Sequence, residues 1–227
     1  MQSPPDPSVV KQETKQRALN RALVEATNNN NCTTMVTLLK AGANPQLVLY
    51  GAAVTKKSDV FEILYQHIPN VDNGNLLSVV IDRIEDEYCD GKELDNDMLL
   101  KKNGRYKENK SDDRTRRLLA ICEYIILQDD TVIQKIPLDQ SQFLLENACR
   151  YDKIDLLKLC IVHGIKPNFE EGILLVTAVE YDHDRIIKYL TKETNIWDTP
   201  NLPIEKLLEL ATAQDNEEII GMCLKRL

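Results

Sequence analysis

The sequence predicts an all-α protein built from stacked helical hairpins, on three observations. Of its 227 residues 43% are hydrophobic but only 5% aromatic, so a core would be assembled from Leu, Ile, Val and Ala, the mixture that suits helix packing. A Leu-x-x-Ala step recurs along the chain, with aliphatic pairs at near-constant distances behind it. Two apolar helical runs end in KAGANP (40–45) and HGIKPN (163–168), where glycine suits the left-handed residue that closes a helix and proline keeps the helix from resuming.

Taken from the amino end, MQSPPDPSVV carries three prolines in its first eight residues, so 1–16 is expected to be a disordered lead-in, with order setting in between Lys11 and Leu19. It has neither a basic stretch nor an apolar run and is read as no secretory leader. Nowhere do about 18 apolar residues follow one another, so no membrane span is expected.

From 17 to 227 the repeat organises the chain. With Ala148 as anchor, Leu145 lies three residues before it, Asp152 four after, Leu156 and Leu157 at eight and nine, Cys160 and Ile161 at twelve and thirteen, and Gly164 at sixteen. The same offsets from Ala178 find Leu175, Asp182, Ile186 with Ile187, Leu190 and then Thr194; from Ala211 they find Leu208, Asp215, Ile219 with Ile220, and Cys223 with Leu224. Ala52 (Leu49, Val60 with Phe61, Leu64 with Tyr65), Ala26 (Leu23, Met35 with Val36, Leu38 with Leu39, Gly42) and Val80 (Leu77) complete six anchors, spaced 26, 28, 68, 30 and 33 residues apart. Such periods indicate a solenoid in which each unit holds two helices, a first with the Leu-x-x-Ala step and a second with the aliphatic pairs. One unit cannot bury its apolar face alone; stacking does so.

The spacing of 68 marks an insertion in the third repeat. LLSVVIDRI reads as a first helix and RRLLAICEYIIL (116–127) as a second, and the charged stretch of about 88–112 between them reads as a solvated loop. Its first part is acidic (Asp90, Glu93, Asp95, Asp97) and its second basic (Lys101, Lys102, Arg105, Lys107, Lys110), an asymmetry suited either to a charged partner or to a plain surface loop.

The order of Leu-x-x-Ala, small turn, two aliphatic pairs and Gly-small-polar-x-Asn resembles the ankyrin repeat, with LLKAGANP and CIVHGIKPN as the nearest stretches. The family's Thr-Pro-Leu-His opening is missing from every unit, and its middle-turn glycine is Asp or Asn in four. The resemblance implies an ankyrin-type α-solenoid of about six helix-pair repeats with hairpin-like fingers between them and a carboxyl-terminal cap in the last unit. It also implies partner contacts two and three residues after each anchor and six to nine before. Those positions include Asn28, Asn29, Val54, Thr55, Asp82, Gln46 and Glu170, and the candidate partner-binding set is Arg83, Arg150, Tyr151, Phe169, Glu180, Tyr181, Gln140, Gln142 and Asp72. Arg150, Tyr151, Phe169 and Tyr181 form the preferred patch, since arginine and aromatic residues dominate interface hot spots, although a tyrosine beside a turn also serves to cover the neighbouring unit. Trp197 is expected to pack on the next repeat.

Enzyme chemistry is not expected. Cys160 and His163 are three apart, but Cys160 falls on a core position, His163 at a helix end, and a zinc site needs four ligands. Cys149 with His183 would pair only across units, and no strained nucleophile turn or phosphate-cradling glycine loop is present. The six cysteines lack a CxxC pair and are read as reduced thiols of a cytoplasmic protein. A net charge of -8 opposes nucleic-acid binding and favours a partner with a basic surface.

The expectation is therefore a monomeric, cytoplasmic, non-enzymatic module that binds another protein through a concave face, with no cofactor, metal, nucleic acid or membrane. Two alternatives stand beside it. Divergent ankyrin-like repeats rich in Asn, Lys and Ile look like those of intracellular bacteria and viruses, which implies a secreted effector acting on a host protein. The other is an enzyme with its site near the 88–112 insertion.

Overall fold

The computed structural model describes residues 7–55, 58–95 and 110–227 and, within them, the side chains of 12–55, 58–87 and 113–227. Among the described residues the protein is all-α: twelve α-helices and no strand. Its internal contacts divide it into two compact units, Met1–Arg83 and Ile84–Leu227.

In the first unit α1 (Pro7–Asn28) packs on α2 (Cys32–Lys40), and α3 (Gln46–Thr55) on α4 (Ser58–Tyr65). Pair then packs on pair, α1 against α3 and α2 against α4. Helix α5 (Asn73–Asp95) starts here, where Asp72 Oδ1 accepts the Asn75 N–H at 3.1 Å, and runs across the division at Arg83.

The second unit continues with α6 (Lys110–Gln128), α7 (Leu138–Arg150), α8 (Ile154–Val162), α9 (Ile173–Glu180), α10 (Asp184–Glu193), α11 (Ile204–Ala213) and α12 (Glu217–Leu224). Helix α7 packs on α9 and α9 on α11, while α6 packs on α8. Buried Glu87 of α5 accepts a 2.7 Å hydrogen bond from Arg114 Nη1 of α6.

The six anchors all lie in the core, and of the leucines three residues before them only Leu208 is partly exposed. A small anchor lets the second helix of a pair lie close, while its neighbours fill both flanks. In α9, Leu174 and Leu175 are wholly buried together with Ala178 and Val179. Burial on two flanks is what a helix between two others requires.

The turns inside the pairs share one geometry. Four anchors are followed at four residues by a left-handed Asn30, Asp152, Asp182 or Asp215, with φ of 51, 53, 56 and 56°. The next N–H returns to the anchor carbonyl at 2.9, 2.8, 3.0 and 2.9 Å, which closes the first helix. Asn and Asp tolerate this conformation better than other L-residues, hence their presence where glycine would also serve. The second helices α2 and α8 end instead on Gly42 and Gly164, at φ of 96 and 104°. Where α10 has Thr194 in place of glycine, the chain leaves the helix extended, and the Thr194 hydroxyl donates to the Leu190 carbonyl at 2.6 Å.

Three expectations are corrected. The lead-in expected over 1–16 is already helical from Pro7; residues 1–6 lie outside the described residues. Of the loop expected at 88–112, residues 88–95 belong to α5 and 110–112 to α6; 96–109, with Asp97, Lys101, Lys102, Arg105 and Lys107, lie outside the described residues. The hairpin-like fingers show no paired strands among the described residues. The links between pairs turn back on their helix ends, as when Ala43 N–H bonds Leu38 O and Ile165 N–H bonds Cys160 O. Links in the second unit add single 3-10 turns at Val132–Gln134, Glu170–Gly172 and Ile196–Asp198. Trp197 in the last of these is half-buried, with the Arg226 guanidinium 5.2 Å from its ring centroid.

These turns give a direct test by urea unfolding. Asp182→Gly is expected to leave stability within about 1 kcal/mol of wild type, whereas Asp182→Val costs roughly 1–2 kcal/mol because a β-branched residue resists the left-handed conformation. Gly172→Ala is expected to cost about as much, since φ there is 77° and an added Cβ would stand 2.3 Å from Leu202 Cδ1.

Candidate partner-binding face

Helices α7 and α9 lie side by side with their carboxyl ends together, and the turns after them place the candidate residues. Each helix end leaves carbonyls without an intrahelical donor. In the second unit the next pair supplies one: His183 Nε2 donates to the Arg150 carbonyl at 2.9 Å, and Gln214 Nε2 to the Glu180 carbonyl at 3.0 Å.

On this frame the Arg150 side chain forms a bridge between pairs. Its Nη2 lies 2.8 Å from Glu146 Oε1 one helical turn back, and the two side chains are 18% and 25% exposed. Nη1 donates to the Tyr181 hydroxyl at 3.3 Å, and Cζ sits 5.5 Å from the Tyr181 ring centroid. The Tyr181 ring stacks in turn on His183, with centroids 6.1 Å apart and planes inclined by 20°. A guanidinium held by a carboxylate and an aromatic face contributes about 0.5–2 kcal/mol through the ring and less through the helical ion pair. The larger effect is that Arg150 and Tyr181, still partly open to solvent, have few rotamers left.

Around this bridge the other predicted residues take different places. Tyr151, half-buried, ends α7 with its N–H on the Asn147 carbonyl at 3.0 Å, and Glu180 is exposed. Gln140 and Gln142 are half-buried in the first half of α7. Phe169, also half-buried, precedes three successive left-handed residues, Glu170, Glu171 and Gly172, at φ of 42, 54 and 77°. Asp72 and Arg83 belong to the other unit. Asp72 is the exposed cap of α5, and Arg83 is half-buried within that helix. So the structure joins Arg150 to Tyr181 and gives Asp72 a capping task.

Sequence reasoning singled out neither Glu146 nor Gln214, and considered His183 only as a partner for Cys149. The signal was present in the offsets: His183 and Gln214 follow their anchors by five and three residues, within reach of the carbonyl two residues past the preceding anchor.

Of the described free thiols, all but Cys32 are buried. Cys149 is wholly buried, and burial, reinforced by Glu146, pushes its pKa well above the ordinary thiol value. Burial likewise raises Cys122, and Cys160 is pushed up to about 12 by burial and the nearby Glu123. Such thiols are poor nucleophiles. Cys160 belongs to the core of α8, while half-buried His163 caps that helix. Among the described residues no three His, Cys, Asp or Glu side chains gather as a metal site, and no helix is long and apolar enough to cross a membrane.

Thiol chemistry tests this placement. Under native conditions partly exposed Cys32 should react with a disulfide reagent well before Cys122, Cys149 and Cys160. Raised folded-state pKa values mean that the native protein holds these protons more tightly, so their stabilising effect is complete below the ordinary thiol pKa and is lost progressively as pH rises from there through the raised folded-state values. Urea midpoints should fall above about pH 9, by up to about 1.4 kcal/mol per thiol per pH unit, and a Cys149→Ala, Cys160→Ala variant should show a shallower decline.

Comparison of the chain with protein-family models, curated proteins and solved structures found no match.

Proposed function

We propose that the protein is a non-enzymatic binding module of ankyrin type, whose helix pairs hold a recognition face for another protein. The fold reading is supported by the recurring helix pair, the shared left-handed turn after four anchors and the glycine stops of α2 and α8. The observation that carries the functional reading is the Glu146–Arg150–Tyr181–His183 array. It holds a guanidinium and an aromatic ring at adjacent helix ends, partly open to solvent and restricted in motion. Side chains ordered in advance cost less entropy on binding, and arginine and tyrosine are the types that contribute most per residue at interfaces. Exposed Glu180 at the end of α9 gives this edge an acid suited to a basic contact on the partner.

Affinity capture from the source cells tests the reading, with full-length wild type compared against Arg150→Glu with Tyr181→Ala, and against Glu180→Lys. The double variant should recover at least about tenfold less of a specific bound protein, a loss of about 1.4 kcal/mol. Because Arg150 and Tyr181 also join two helix pairs, Glu180→Lys serves as the variant that leaves internal contacts alone, and it should weaken capture with an unchanged unfolding midpoint. Equal recovery by all three proteins would place recognition elsewhere on the molecule.

A further inference from the structure

Position by position, two flanks of the helix pairs are open to solvent among the described residues. Each first helix has a forward flank, three residues before and one after the anchor. Each also has a backward flank, four residues before and one before. Forward positions are buried throughout α1, α3, α5, α7 and α9, as with Leu23 and Thr27 or Leu175 and Val179. In α11 they open: Leu208 is partly exposed and Thr212 fully so. The second helix agrees. Nine residues past the anchor Met35, Phe61, Leu157 and Ile187 are buried, whereas Ile220 of α12 is partly exposed; thirteen past, Leu39 is buried and Tyr65, Ile161 and Thr191 are half-buried, whereas Leu224 is 59% exposed.

The opposite flank opens at α1–α2. Four residues before the anchor Val48, Leu76, Leu144, Leu174 and Leu207 are buried, but in α1 this position is the exposed Ala22. Eight residues past the anchor Val60, Leu156, Ile186 and Ile219 are buried, but in α2 it is the exposed Thr34. Ala22 lies in a shallow depression with Arg17, Ala18, Arg21 and Glu25, so small side chains have replaced the bulky ones just where a neighbour would sit.

We infer that the open forward flank of α11–α12 in one copy docks on the open backward flank of α1–α2 in a second copy, a head-to-tail contact that repeats the pair-on-pair packing inside the chain. Continuity with that internal packing is the first argument: Leu208, Ile220 and Leu224 project apolar side chains towards the space where Ala18 and Ala22 leave a hollow. Charge is the second. First helices pack side by side in parallel, as the Gln214–Glu180 bond between the carboxyl ends of α11 and α9 shows, so residues two and six before one anchor lie next to those five and nine before the following one. At this contact they are the exposed acids Glu209 and Glu205 against the exposed arginines Arg21 and Arg17, the latter also 3.9 Å from Glu13 on its own helix. Glu25 is already held by the Asn29 amide at 3.2 Å. Asn29 itself occupies the position from which Gln214 reaches the Glu180 carbonyl, and the matching carbonyl on α11 is that of Ala213. The contact is heterologous, so it leaves one open flank of each kind and can recur. It revises the expectation of a monomer and does not depend on the partner face proposed above.

Sedimentation equilibrium of the full chain tests it. Mass should rise past that of a dimer with concentration, with a dissociation constant on the order of 10–100 μM, as suits a contact at the small end of specific interfaces, and the rise should weaken in high salt. A forward-blocked variant (Leu208→Glu, Leu224→Glu) and a backward-blocked variant (Arg21→Glu, Ala22→Glu) should each be monomeric alone and form a one-to-one dimer when mixed. The charge pair gives a second route: Glu205→Arg with Glu209→Arg should lose association with itself and regain it when mixed with Arg17→Glu, Arg21→Glu. A wild type that stays monomeric, a backward-blocked protein that still dimerises with itself, or a mixture that stays monomeric would each overturn the inference.

Discussion

The structure depends on one constraint: a helix pair whose first helix is apolar on two flanks cannot bury both within itself. Leu174 and Leu175 of α9 are adjacent in sequence and both fully buried, in a helix that packs against α7 and against α11. No rearrangement inside a single pair removes both from water. Burial of each such side chain contributes about 1.5–3 kcal/mol, so packing pair on pair is where the stability of each unit resides.

That constraint places the polar groups too. When pairs lie side by side, the carbonyls at the ends of first helices come to the seam, where an unsatisfied carbonyl would be costly. His183 and Gln214 reach across to meet them, and the same seam brings Arg150 against Tyr181. The proposed recognition face is thus a by-product of satisfying helix ends, which explains why its most ordered members carry a structural task as well. The same logic accounts for the two open flanks: where no further pair covers them among the described residues, positions otherwise buried are the exposed Ala22 and Thr34 at α1–α2 and the partly exposed Leu208 and Ile220 at α11–α12.

Much of this was legible in the residues. Anchors, aliphatic pairs and left-handed Asn or Asp turns were readable because each reflects a local rule, the helical period or the backbone conformation at a turn. The extent of α5 was not readable, since its later residues are charged and helix propensity there is carried by backbone continuity, without an apolar stripe to announce it. The links carry no paired strands, because a glycine–proline signal says that a helix stops and closes it with a local cap, and leaves open what the chain does next.

The sequence by itself determined the helical class, the two-helix unit and the buried anchors, because periodicity of 3.6 residues and the chemistry of turn residues act over a few neighbours. Tertiary structure alone decided which interior positions are shared between pairs and which remain open, which ring lies under Arg150, and that His183 serves a carbonyl and not a thiol. Those outcomes arise from residues some thirty positions apart meeting at a seam, and no local rule carries information over that distance.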